Sequence, residues 1–91
     1  MKVSDAMLKG YAMVGRQCFG TYCVGDPAKP TAVCALGAAR LALTGHVRVT
    51  TLRLRIASDE FENRTGFTIS EANDKGMSIE DIAGILKSEG M

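Results

Sequence analysis

Polar and apolar positions along this chain repeat mostly with the period of an α-helix. Met7, Leu8, Tyr11, Ala12 and Val14 mark one apolar face near the start. Ser4 has the character of an N-cap, Val3 and Leu8 the spacing of a hydrophobic staple, and Asp5 suits the positive end of the helix dipole. Gly10 weakens this helix by about 1 kcal/mol relative to Ala, and Gly15 is a stop signal. The stretch Pro30–Gly45 predicts a buried central helix, with Pro30 in its first turn and Arg40 its only charge. Gly37 and Ala38 would let another helix approach it closely. Ile79, Ile82, Ile85 and Leu86 predict a last helix, capped by Ser78 with Asp81 in the capping-box position, Lys87 in its final turn and Gly90 after it.

The pattern is less regular between these helices. Residues 17–30 are punctuated by Gly20, Gly25, Pro27 and Pro30 but carry Phe19, Tyr22 and Val24, which predicts an ordered loop folded back on the core. Phe19–Val24 also reads as a short strand, for which no partner is evident. Val47–Ile56 alternates like a strand, yet Leu52 and Ile56, with acids and bases at helical spacing after them, favour a helix over about residues 50–63 ending at Gly66. Phe67–Asp74 reads as a helical turn, and Asn73-Asp74-Lys75-Gly76 as a tight turn. Residues 1–91 are therefore expected to form one mostly all-α domain. Its architecture would be a small orthogonal bundle of about four helices around the central one, with a short strand near 47–56 as the alternative.

Composition narrows the function classes. The 46% apolar fraction suits a globular protein, and the formal net charge of +1 gives no general attraction to nucleic acid or anionic membrane. The charge is uneven: Arg48, Arg53 and Arg55 stand in a basic middle, and Asp59, Glu60, Glu62, Glu71, Asp74, Glu80 and Asp81 follow. The two regions could complement one another. Met1–Asp5 does not open like a secretion leader, and no apolar run approaches the roughly 18–20 residues of a membrane span. These features lead us to expect a cytoplasmic protein with reduced thiols.

Candidate chemistry is sparse. Cys18, Cys23 and Cys34 with His46 would make a Cys3His zinc set, but there is no Cys-x2-Cys knuckle and Cys34 lies in an apolar helix. Cys18 and Cys23 would make a redox pair, with Arg16 nearby to depress a thiol pKa. A Cys–His nucleophilic pair lacks any orienting third group. The bland reading, three packing cysteines and a solvated His46, accounts for the same residues. Gly76–Leu86 resembles the first helix of a helix-turn-helix. No second helix follows before Met91, so a recognition role would pass to residues 50–63, with Arg53 and Arg55 towards DNA. A solvated, salt-bridged face is the plainer reading, and no catalytic residue, metal or cofactor is assigned.

Cys18, then Pro30-x-Ala32-Val33-Cys34-Ala35-Leu36-Gly37-Ala38, then Ile69-x3-Asn73-Asp74 and an apolar last helix resemble a family of small uncharacterised bacterial and phage proteins. That family has a Cys-Ala-Leu-Gly-Ala signature helix and a downstream Asn-Asp. Its members often carry Trp where this chain has Val33 and Ala72. The resemblance implies a small helical fold and no activity. It leaves Cys34 as a close-packed core thiol and Asn73 and Asp74 as turn and capping groups. The functional expectation is a non-catalytic accessory or protein-interaction module, self-associating or binding a protein partner. The alternatives are a nucleic-acid-binding regulator using Arg48, Arg53 and Arg55, and a thiol or zinc module.

Overall fold

In the computed structural model, which describes residues 1–91, the chain runs α1 (Val3–Val14), β1 (Cys23–Asp26), β2 (Lys29–Val33), α2 (Ala35–Thr44), α3 (Leu52–Thr65), α4 (Ile69–Asp74) and α5 (Ile79–Ser88). The mostly helical expectation holds. The strands are elsewhere than expected: β1 and β2 form an antiparallel hairpin, while 47–56 contains no strand. Val47 is buried in the turn before α3, its amide donating to the Pro27 carbonyl at 3.1 Å, and the Thr51 hydroxyl caps α3 by accepting from Leu54 N.

Pro30 accounts for part of the difference. It lies in β2 opposite Gly25, next to an irregularity in the register, where a missing amide is tolerated as well as in a first helical turn. The central helix consequently starts only at Ala35, behind Cys34 as N-cap. Of Phe19–Val24 only Cys23 and Val24 enter a strand, which runs on to Asp26 and pairs with Lys29–Val33. Phe19, Tyr22 and Val24 are 54%, 43% and 49% exposed, so this connector turns its apolar side chains outward rather than onto the core.

Caps fix most helix ends. Gly15, Gly45 and Gly66 close α1, α2 and α3 in the left-handed conformation. Ser78 caps α5 by accepting from Asp81 N at 3.1 Å. The reciprocal capping box belongs to α4, between Thr68 and Glu71. The N-cap of α1 is Lys2, not Ser4. Ser4 sits inside the helix, where its amide donates to the Met91 carbonyl at 3.0 Å. Its hydroxyl is buried with no hydrogen-bond partner. Val3 is buried and Leu8 is 39% exposed, so they form no staple.

The core gathers apolar side chains from every helix, including Val3, Met7, Ala38, Leu54, Phe61, Ile69, Ile82 and Leu86. Two glycines make its closest approaches. A Cβ on Gly10 would overlap the Ala38 backbone, so the residue that weakens α1 locally is what lets α1 lie on α2. A Cβ on Gly37 would overlap the Tyr22 carbonyl. Gly37 thus admits the chain entering the hairpin, not another helix. The last helix packs mainly on α1, and more lightly on α4 and α3.

These placements separate three substitutions in urea denaturation. Gly10→Ala and Gly37→Ala should each cost about 2 kcal/mol or more, because backbone must move to admit one methyl. Ser4→Ala should be neutral or slightly stabilising, since it removes an unpaired buried hydroxyl. A loss of about 1 kcal/mol for Ser4→Ala would instead indicate an N-cap.

Candidate functional site

Asn73 joins the two motifs that the sequence singled out. It lies in the last turn of α4, fully buried, with relative exposure 0%. Its Oδ1 accepts from Ala35 N at 2.9 Å and from Gln17 Nε2 at 2.8 Å. Its Nδ2 donates to the Cys18 carbonyl at 2.9 Å. Gln17 Nε2 also donates to the Met77 carbonyl, and Gln17 Oε1 accepts from Ile79 N. Two amide side chains thereby satisfy first-turn amides of α2 and α5. The tight turn at Asn73–Gly76 is present, with Gly76 N donating to the Asn73 carbonyl at 3.0 Å. The capping, however, is of distant helices rather than local. Asp74, the exposed neighbour, accepts from Gly20 N at 2.8 Å.

Beside this knot lies a polar pocket of about 360 Å3 lined by Gly20, Thr21, Tyr22, Cys34, Ser70 and Asp74. Cys34 Sγ accepts from Gly37 N at 3.3 Å as the cap of α2. Burial pushes the Cys34 thiol up; bonds from the Gly37 and Leu36 amides pull the other way, and the Asp74 charge adds to the rise. The Cys18 thiol is also pushed up, by burial first and then by Cys34 and Cys23. Over the Tyr22 ring lies the Arg40 guanidinium, 4.7 Å from the centroid.

The cysteines do not converge as a threefold set. Gln17 and Val33 form a parallel bridge, with Cys18 N donating to the Val33 carbonyl and Val33 N to the Arg16 carbonyl. That register sets Cys18 beside Cys34, and both pack with Ala32. Cys23 pairs with Val33 from the hairpin side and packs on the main core instead. His46 is engaged in the turn after α2, its Nδ1 accepting from Arg48 N at 3.1 Å. No group of three or more His, Cys, Asp or Glu side chains is placed to hold a metal ion.

A second feature is apolar. Val3, Leu52, Ile56, Ala57 and Met91, with Lys2, Arg53 and Gly90, line a groove of about 460 Å3. Leu52 is 71% exposed and Ile56 51% exposed. Arg53 Nη1 donates to the Met1 carbonyl at 2.6 Å. Arg48 and Arg55 are exposed. The spacing of Leu52 and Ile56 signalled the helix but not which way that face would point. No helix is long and apolar enough to cross a membrane. No protein family model, curated protein or solved structure matches the chain.

Asn73→Ala should cost about 3 kcal/mol or more, because it orphans several buried groups together. Asp74→Ala, removing one exposed acceptor, should cost about 1 kcal/mol by the same measure. Equal costs in urea melts would contradict the knot. The raised thiols carry a pH signature. Thiols of the unfolded chain ionise near 8.5, whereas Cys18 and Cys34 ionise higher when folded. Their contribution is intact below the unfolded value and is lost as pH rises towards the folded ones. Wild type should therefore lose more stability between about pH 8.5 and 10 than a Cys18→Ala/Cys34→Ser variant; identical alkaline slopes would contradict this.

Proposed function

We propose that this chain is a non-catalytic, cytoplasmic protein-interaction module whose partner is a second copy of itself, docked along α3. The observation that carries the reading is the exposed Leu52–Ile56 ridge beside the apolar groove. Leu52 and Ile56 lie one turn apart on α3 and join the groove in a contiguous apolar strip, which marks a contact surface. The reading treats the helices as an orthogonal bundle around α2, which leaves the outer side of α3 free.

Charge selects the occupant. The exposed side of α3 carries Arg53 and Arg55 in its first half and Asp59, Glu60 and Glu62 in its second. The sequence invited the idea that basic and acidic regions pair within the chain, but the one salt bridge is Arg64 with Glu89, at 3.2 Å. The complementarity is thus left for another molecule. An antiparallel α3–α3 contact centred on Ile56 sets each basic half against an acidic half and packs the ridges together. The same acids oppose a phosphate backbone, which disfavours the nucleic-acid reading through Arg48, Arg53 and Arg55. Centred on Ile56, residues 52–60 of the two copies overlap, a contact about 13 Å long, suited to a reversible dimer.

Light scattering and concentration-dependent melting test this. Wild type should be dimeric at about 100 µM with a concentration-dependent Tm, and Leu52→Glu/Ile56→Glu should be a folded monomer. Asp59→Lys/Glu60→Lys should also be monomeric, and adding Arg53→Glu/Arg55→Glu should restore the dimer. A wild-type monomer at that concentration overturns self-association. A monomer that binds an unrelated acidic amphipathic helix through Leu52 would transfer the surface to that partner.

A further inference from the structure

We propose that Cys18 and Cys34 are a redox pair that closes to a disulfide beside the Asn73 knot, with Cys23 left out. The case rests on backbone register. The parallel bridge at Gln17 and Val33 is isolated, with Cys34 N turned to the Tyr22 carbonyl and Ala35 N to Asn73 Oδ1, and Cys18 and Cys34 are the residues one step past it. Chains at such a bridge lie about 5 Å apart, so residues one step beyond it start within the Cα–Cα range of disulfides, about 4.4–6.8 Å. Neighbours along extended chain alternate faces, which puts Cys18 and Cys34 on the side opposite Gln17 and Val33, where both pack in one buried cluster with Ala32. Val33 faces the opposite way, and Cys23, its partner across the hairpin, faces with it. The pair suggested by closeness in sequence, Cys18 with Cys23, is therefore divided between two faces.

The polar pocket gives an oxidant its approach. Cys34 lines it, together with Thr21, Tyr22, Ser70 and Asp74. The oxidant class is a small-molecule disulfide. The Cys34 thiolate attacks one of its sulfurs, forming a mixed disulfide and expelling one thiolate. The Cys18 thiolate then attacks Cys34 Sγ and expels the second. Two protein thiols lose two electrons and two protons, and one small disulfide becomes two small thiols. Burial raises both protein thiols, which makes the exchange slow at neutral pH rather than forbidden. Closure ties Arg16–Cys18 to the start of α2 across the segment that carries the hairpin. It also draws the Cys34 sulfur from its place over the Gly37 amide. The oxidation state thereby sets how tightly this corner is held.

The test incubates the folded protein with glutathione disulfide and maps peptides without reduction. The expected product has lost two hydrogens and links the Cys18 and Cys34 peptides, in wild type and in Cys23→Ser alike. Closing this loop should raise Tm by about 10 °C or more. Cys18→Ala and Cys34→Ser should show neither the link nor the Tm rise. Serine at position 34 retains an N-cap oxygen, so that variant stays folded. A Cys18–Cys23 link, mixed disulfides that never close, or three free thiols after prolonged oxidation would each overturn the proposal.

Discussion

The fold depends on one buried amide. Asn73 reaches the 16–18 segment, the start of α2 and, through Gln17, the start of α5. None of these bonds is exchanged for water at small cost, because the side chain is fully enclosed. The core around it contains several alanines, Ala35, Ala38, Ala39, Ala57, Ala72 and Ala83, which bury little apolar surface each. Hydrophobic burial draws such elements together but defines their mutual positions weakly. The Asn73 and Gln17 bonds are directional and join elements far apart in sequence, so they fix positions that alanine packing leaves loose.

That division explains what the sequence revealed. Elements marked by local chemistry were legible: Gly15, Gly45 and Gly66 end helices as their types suggest, and Ser78 caps α5. Elements settled by distant partners were not. Ser4 has the composition of a cap, yet the Met91 carbonyl takes its amide and the helix begins sooner. Pro30 satisfies a strand edge as well as a first helical turn, and the choice depends on Cys23–Asp26 lying opposite. Gly10 reads as a local weakness and acts as a contact with α2.

The site was legible to a similar degree. Asn73 and Asp74 carry a turn signal, and that turn forms; the longer reach of Asn73 depends on Gln17, a residue with no local mark at all. Three cysteines suggest a metal set by count alone. Strand alternation then sorts them, because a pleated backbone sends neighbours to opposite faces, and only topology says that residue 18 falls beside 34.

The two proposed features draw on separate parts of the molecule. Leu52 and Ile56 stand on α3, over a groove floored by Val3 and Ala57. Cys18 and Cys34 stand at the hairpin and the start of α2. Neither set hydrogen-bonds to the other, and perturbations at sites without shared partners combine additively. A chain of this size has a thin stability margin, so any event that favours the native state adds a sizeable share to it. The proposed pairing through α3 would do so by mass action. A disulfide does so by restricting the unfolded chain. Oxidation would therefore stabilise each copy without altering the surface that the proposed pairing uses.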